Sequence, residues 1–257
     1  MKIAVCCITK NEEIHLERLI NNIKDIAYEI VIVDSYSLDN TKNIALKYNC
    51  MFYQRTFDNF SNQKNFCLDR TSKNIDWILF LDADECITEK LKGEILSINN
   101  SKFDAYEFRR KFFWKNKWVK RGYFPHWFLR FGKKNKIKFD NNKVNEHLIC
   151  STNKIGKLDG CFVDNNLKST KKWFEKHKLY SELEADRYFL NIETSKNRKL
   201  WNKLPLLIRP FILFFYRFFI KLTIFDGLLV SQYHFYHDFI YRMMIDIKIL
   251  KKKLLKK

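Results

Sequence analysis

The chain opens on a run, Ile3–Ile8, in which every position is apolar and which polar residues bound on both sides. An uninterrupted run of that length predicts a strand buried on both faces, because a half-exposed strand would alternate. Asn11 is of a type suited to capping a helix, and beyond it Ile14, Leu16, Leu19, Ile20 and Ile23 recur at helical spacing, predicting a helix to about Lys24. The theme repeats. Strands are expected at Glu29–Asp34, Met51–Arg55 and Trp77–Leu81, and helices at Thr41–Tyr48, near Asn62–Arg70, and at Thr88–Ile98. Strands alternating with helices through short connections call for an α/β fold with a parallel sheet covered by helices. Ligands of such sheets bind beyond the carboxyl ends of the strands. Thr9-Lys10-Asn11, Asp34 and Asp82–Glu85 all fall at those ends.

Residues 103–165 read differently. The segments YEFRRKFFW, KWVKRGYF, HWFLRFG and KIKF alternate aromatic-basic stretches with polar turns, predicting a mixed or antiparallel extension of the sheet. A long charged helix is expected over Thr170–Asn191, and from Leu204 onward the chain reads as helical, aromatic and basic. On a helix, Phe211, Phe214, Phe215, Phe218, Phe219 and Leu222 form one stripe, with Arg217 and Lys221 to one side. Leu206–Val230 is apolar enough to suggest a membrane span, but Arg209, Pro210, Arg217, Lys221 and Asp226 interrupt it, and charges at mid-span are costly. An interfacial helix and a helix packed against the rest of the protein both fit. The tail IKILKKKLLKK suits either an anionic lipid surface or a solvated terminus.

Composition narrows these options. Of 257 residues 46% are hydrophobic and 16% aromatic, enough for a sizeable core, and only 6 Gly and 3 Pro are present, which excludes collagen-like and turn-dense all-β designs. The net charge is +19, with 48 basic and 29 acidic residues. Residues 1–100 hold 12 basic and 15 acidic residues, so the excess lies in the rear of the chain, which is expected to face something anionic. The seven cysteines form no C-x-x-C pair, arguing against zinc ribbons and for a reducing compartment. The first apolar run is too short for a signal peptide and soon meets Glu12 and Glu13, so a cytoplasmic protein is expected.

The chemistry-bearing residues sit at the strand ends. Asp82-x-Asp84 follows the apolar strand WILFL, where two carboxylates can converge on a hard cation such as Mg²⁺ or Mn²⁺ that also binds phosphate. The alternative is an acidic turn leading into the next helix. Asp34 can accept hydrogen bonds from a base or ribose, or simply shape its turn. The first βα turn, ITKNEE, has no glycine, which argues against a dinucleotide fingerprint or a P-loop. His234 and His237 could share a metal, though the aromatic residues around them favour packing.

The ordered set ITKNEE, VIVDSYSLDNT, FSNQKN and WILFLDADE resembles inverting family-2 glycosyltransferases of the GT-A fold. HWFLRFG, VNEH, YSELEA and FDG, farther along, are similar to a branch containing lipopolysaccharide-core β-1,4-glucosyltransferases. The resemblance implies a GT-A domain over residues 1–200, with 1–100 the nucleotide-binding half and 101–200 the acceptor side. Residues 201–257 would form a helical, membrane-associating extension. It implies that Thr9, Asn11 and Glu12 line the nucleotide pocket, that Asp34 lies near uracil or ribose, and that Gln63 and Lys64 approach the nucleotide or its diphosphate. Asp82 and Asp84 would form the metal-binding element, Asp84 the more direct ligand, with Glu146 the base that deprotonates the acceptor.

The sequence departs from the branch in two places. VNEH stands where relatives often have VHE, and VDNNL where they carry a His, so Asn165 or Asn166 takes that place and His147 or His126 could compensate. The expected activity is metal-dependent hexosyl transfer, glucose the leading sugar, from a UDP-linked donor to a lipopolysaccharide-core or similar glycolipid, by a protein peripheral on the inner face of the cytoplasmic membrane. Transfer onto capsule, O-antigen or another surface glycan is the nearest alternative. A basic nucleic-acid-binding protein is the non-enzyme alternative, suggested by lysines interleaved with aromatics around Trp114 and Trp118. It leaves the acidic strand ends unexplained.

Overall fold

The computed structural model describes residues 1–140, 146–190 and 196–255. The first elements are β1 (Ile3–Thr9), α1 (Glu13–Ile23), β2 (Glu29–Asp34), α2 (Thr41–Lys47), β3 (Met51–Gln54), α3 (Phe60–Asp69) and β4 (Trp77–Phe80). They follow the sequence expectation closely. Then come β5 (Glu85–Ile87), α4 (Glu89–Leu96), β6 (Ala105–Trp114), β7 (Lys117–Trp118), β8 (Trp127–Lys133), β9 (Ile137–Phe139), β10 (Leu148–Cys150) and β11 (Ile155–Asn165). The helical remainder comprises α5 (Thr170–Leu190), α6 (Lys196–Lys203), α7 (Arg209–Phe215), α8 (Leu228–His234) and α9 (Tyr241–Leu254).

The main sheet runs β3-β2-β1-β4-β8-β6-β11-β5. Its first four strands are parallel, β8 is antiparallel to both neighbours, and β11 pairs parallel with β6 and antiparallel with β5. This is an α/β, GT-A-like sheet flanked by helices. β9 and β10 form a separate antiparallel pair. The two faces of β1 explain its continuous apolar run. Ile3, Val5 and Cys7 join Leu16, Leu19, Ile20 and Ile23 of α1 in one core cluster, while Ala4 and Cys6 join Cys67 and Leu68 of α3 in another. A period-two strand covered on both sides needs apolar residues at every position.

Asn11 does not cap α1. The cap position is Glu12, and Asn11 instead takes a left-handed conformation, φ 54°, with its side-chain oxygen accepting from the Leu38 amide at 2.8 Å. The acidic turn also ends differently from expectation. Glu85 starts a short strand opposite Asp164 of β11, and Thr88 caps α4 by accepting from the Leu91 amide. All seven cysteines are free thiols.

The chain packs as two compact units. The first, residues 1–113 and 124–167, holds the sheet. The second combines residues 114–123 with 168–257. In the second unit α5 lies along α9, and Ala185, Tyr241, Ile245 and Ile249 form its core with Trp173, Tyr180 and Leu206 packed around them. The rear of the chain is less continuous than the sequence suggests. α7 passes into a π-helical turn at Tyr216–Ile220, Leu222 adopts φ 57°, and Gly227, at φ 93°, precedes a second helical run from Leu228 to Leu254. Among the described residues no helix is long and apolar enough to cross a membrane.

Candidate active site

The carboxyl ends of β1 and β2 are in register, Thr9 opposite Asp34, so the turns after them share one edge of the first unit. Asp34 is fully buried and organises that edge. Its Oδ1 accepts from Thr9 Oγ1 at 2.8 Å and Ser37 Oγ at 2.5 Å, and its Oδ2 accepts from the Ser37 amide at 2.7 Å. Lys10 Nζ donates to the carbonyls of Ser35 and Tyr36, each at 2.7 Å. The Asn11 amide donates to Ser37 Oγ, and the Glu12 amide to Thr41 Oγ1. The loop after β2 is thus stitched to the loop after β1. Gln63, on α3, reaches the same loop. Its Nε2 donates to Ser35 Oγ at 3.0 Å while its Oε1 accepts from Arg55 at 2.7 Å. Thr9, Asn11, Glu12, Asp34 and Gln63 therefore belong to one connected network.

Lys64, the next residue of α3, is 5% exposed. Its Nζ donates to Glu146 Oε1 at 2.8 Å and lies 3.5 Å from Asp82 Oδ1. The rings of Phe80 and Phe139 receive it at 5.1 and 5.2 Å. A buried ammonium requires paired carboxylates, and here they come from the end of β4 and from the segment before β10. Asp82 also accepts from Arg130 Nη2 at 3.2 Å, and the same guanidinium donates to Glu85 Oε1 at 2.9 Å. Burial pushes the Glu85 carboxyl up, opposed by Arg130. Burial works against the Arg130 charge, but Glu85 and Asp82 outweigh it and raise the guanidinium pKa. Glu146, Lys64, Asp82, Arg130 and Glu85 thus alternate in sign across the site.

Asp84 is reached from another side. Its Oδ2 accepts from Asn166 Nδ2 at 2.7 Å, and Arg18 donates to the carbonyls of both Asp84 and Asn165. Asn166, one of the two asparagines in the stretch where the family resemblance places a His, thus stands beside the D-x-D element. His15, buried in α1, accepts the Leu167 amide on Nε2 at 2.8 Å, so its proton sits on Nδ1 and points to Glu12 Oε2 at 2.7 Å. Burial lowers the pKa of His126.

Sequence reasoning assigned no role to Arg130, Arg18 or His15, and read Glu85 only as part of the acidic cluster after WILFL or of a turn capping the next helix. Arg130 did leave a signal. A lone guanidinium inside the apolar strand segment WFLRFG must find carboxylates if the strand is buried. In the second unit, His234 Nδ1 and His237 Nδ1 both lie on the Asp238 carboxylate, at 2.7 and 3.0 Å, so one carboxylate organises the pair.

Among the described residues no group of three His, Cys, Asp or Glu side chains could hold a metal ion by itself. The donor chemistry of Asp82 and Asp84 still fits a divalent cation, since Mg²⁺ commonly takes one or two carboxylates and completes its shell with water and substrate phosphate.

The first unit thus carries a GT-A-like, mostly parallel sheet with acidic residues at the carboxyl ends of β2 and β4. The model of glycosyl transferase family 2 matches residues 4–162, and the chain belongs to that family. Over 112 residues it is 38% identical to an uncharacterized glycosyltransferase of Rickettsia bellii, a match covering 42% of this chain and 37% of that protein. Over 97 residues it is 31% identical to the SPbeta prophage-derived glycosyltransferase SunS of Bacillus subtilis, covering 35% of this chain and 22% of that one. The chain thus spans well under half the length of these curated relatives. Staphylococcus aureus TarS 1–349, solved in complex with UDP, superposes with TM-score 0.48 at 17% identity, covering 98% of this chain and 92% of that one.

Proposed function

We propose that the protein is an inverting hexosyltransferase that moves a hexose, glucose the leading choice, from a UDP-linked donor to the lipopolysaccharide core or a similar glycolipid. The observation that carries the reading is the meeting of Asp82 and Glu146 on the buried ammonium of Lys64. The distant segments DADE, VNEH and FSNQKN each contribute one member, as a site handling a diphosphate and a nucleophile requires.

Thr9, Asn11, Glu12, Asp34 and Gln63 would line the nucleoside side, and Lys64 would face the diphosphate. Glu146 would take the proton from the acceptor hydroxyl. The acceptor oxygen then bonds to the anomeric carbon as the bond to the nucleoside diphosphate breaks, and attack from the opposite face inverts that centre. Asp84, with Asp82, would hold Mg²⁺ or Mn²⁺, which supplies charge neutralisation for the leaving diphosphate. Lys64 adds a cation of the chain's own, fixed by its burial. With a glycolipid acceptor the enzyme works as a peripheral protein at the inner face of the cytoplasmic membrane. Residues 1–200 then serve transfer and 201–257 attachment.

Calorimetry of UDP binding with and without Mn²⁺, on the wild type and Asp84→Ala, tests the reading. Binding is expected to need the metal and to be lost in the variant, with an unchanged melting temperature. A folded wild type that ignores UDP, GDP and CDP in the presence of Mn²⁺ or Mg²⁺ overturns it.

A further inference from the structure

The second unit carries a helix whose polarity is inverted. Along Arg209–Ile220 the exposed positions are Phe211, Ile212, Phe215, Tyr216, Phe219 and Ile220, a stripe recurring at helical spacing and exposed by 45–69%. The inward positions of the same run hold its charges. Arg209 is 2% exposed and fixed by Asp246, which accepts its Nε at 2.8 Å. Arg217 donates to Asp238 and to the Tyr123 hydroxyl, both at 2.6 Å. Phe214 also turns inward, onto Phe235 and Phe239. The apolar stripe is therefore rotated from the one the sequence suggested, and it faces outward. Past the π-helical turn the apolar surface continues, with Phe225 exposed by 70% and Leu228 by 86%.

An ordinary surface helix turns its charges out and its apolar stripe in. Here two arginines are sequestered with buried aspartates while an aromatic face is left open, which costs free energy in water unless something apolar covers it. The surrounding charge says what does. Besides the two paired arginines, residues 195–225 contain five Lys and Arg and no Asp or Glu, Asp226 in the following turn is itself paired with Arg121, and Lys199, Lys203 and Lys221 are exposed. We propose that the exposed stripe of Arg209–Ile220, with the turn that follows it, inserts in the plane of an anionic lipid bilayer, its aromatic face in the acyl boundary and these lysines at the phosphates. The absence of a spanning helix among the described residues agrees with an element that lies in the interface. The inference deepens the peripheral-membrane reading above by naming the element and its mode of insertion.

The test uses the full chain and vesicles of phosphatidylethanolamine with phosphatidylglycerol, set beside vesicles of phosphatidylcholine alone. The wild type is expected to sediment with the anionic vesicles, less at high salt but not released by it, since the apolar part is unscreened. Phe215→Ser combined with Phe219→Ser is expected to weaken partitioning on the order of a hundredfold, because two phenyl groups lose their burial. Circular dichroism and UDP titration of the variant report folding and the donor site separately, so vesicle binding without UDP binding keeps this inference and removes only the transferase reading. A folded double variant that partitions like the wild type overturns it. So does a wild type that ignores vesicles and sediments as a dimer which the double variant dissociates; the face would then bind a second copy.

Discussion

Lys64 is buried with two carboxylates and two aromatic faces around it, so its neighbours are held as firmly as it is. Glu146, the base proposed above, is held in place by this pairing. Glu146→Gln keeps the shape but cannot take a proton, and kcat is expected to fall by roughly 10²–10⁴-fold while the donor Kd stays unchanged. Full turnover by the variant would remove Glu146 from the role. Arg130 gives a second prediction at this scale. Its guanidinium serves Asp82 and the nearly buried Glu85, and Arg130→Met leaves both carboxylates without it. The cost is expected to be about 3–5 kcal/mol in urea unfolding, as for other broken buried pairs. A loss under about 1 kcal/mol would mean that solvent already pays for these charges. The residues of the site divide by how local their signal is. Asp34, Asp82 and Asp84 stand out in the sequence as candidates because each ends or follows an apolar strand, a pattern read within a few positions. His15 does not, since in its helix it looks like one more polar residue, and its partner amide at Leu167 lies far along the chain.

At the scale of elements, the parallel half was legible for the same reason its core is simple. β1, β2 and β4 are covered on both sides, so their apolar runs are unbroken, while β3, at the edge of the sheet, is only half-buried. β5 was missed because three residues, Glu85–Ile87, carry too little periodicity, and pairing with Phe162–Asp164 alone makes them a strand. The rear helices were misread in phase rather than in type, because buried ion pairs let arginines occupy inward positions. Two substitutions test local features of the first unit. Asn59 caps α3 by accepting the Asn62 amide at 2.8 Å, and Asn59→Ala is expected to cost about 1 kcal/mol in a denaturant melt. Gly160 has a different task. A Cβ there would come 2.5 Å from Leu91 Cα and 2.7 Å from the Leu91 amide nitrogen, backbone atoms of α4 that cannot rotate aside. Gly160→Ala is therefore expected to lose at least about 1–3 kcal/mol and to loosen α4 from β11, read as faster amide exchange in Glu89–Leu96. Wild-type exchange rates there would show that the strand shifts to admit the methyl group.

Over the whole molecule the positive charge is concentrated behind residue 100, and the same part of the chain holds histidines that the fold keeps neutral. Burial lowers the pKa of His177 to about 4, partly offset by its bond to the Trp173 carbonyl, and burial also lowers that of His237. The His177 ring stacks on Trp173 with centroids 3.6 Å apart, and Nδ1 donates to the Trp173 carbonyl at 2.8 Å. The sign follows from proton counting. Between about pH 4 and the ordinary histidine value near 6.5 the unfolded chain binds protons that the folded chain does not, so stability rises with pH across that window and is lost as pH falls through it. Each such group contributes at most about 1.4 kcal/mol per pH unit, and solvent access to a partly exposed ring reduces this. Protonation also adds to an already large positive charge, so self-repulsion acts in the same direction. Urea midpoints are therefore expected to drop between about pH 7 and about pH 4.5, and His177→Phe, which keeps the stack but cannot titrate, is expected to flatten the curve. If wild type and variant decline in parallel, the acid sensitivity belongs to net charge and to His237 rather than to the ring on Trp173. At the anionic surface proposed above, where protons as well as cations concentrate, that distinction would decide whether the second unit loosens or holds its shape.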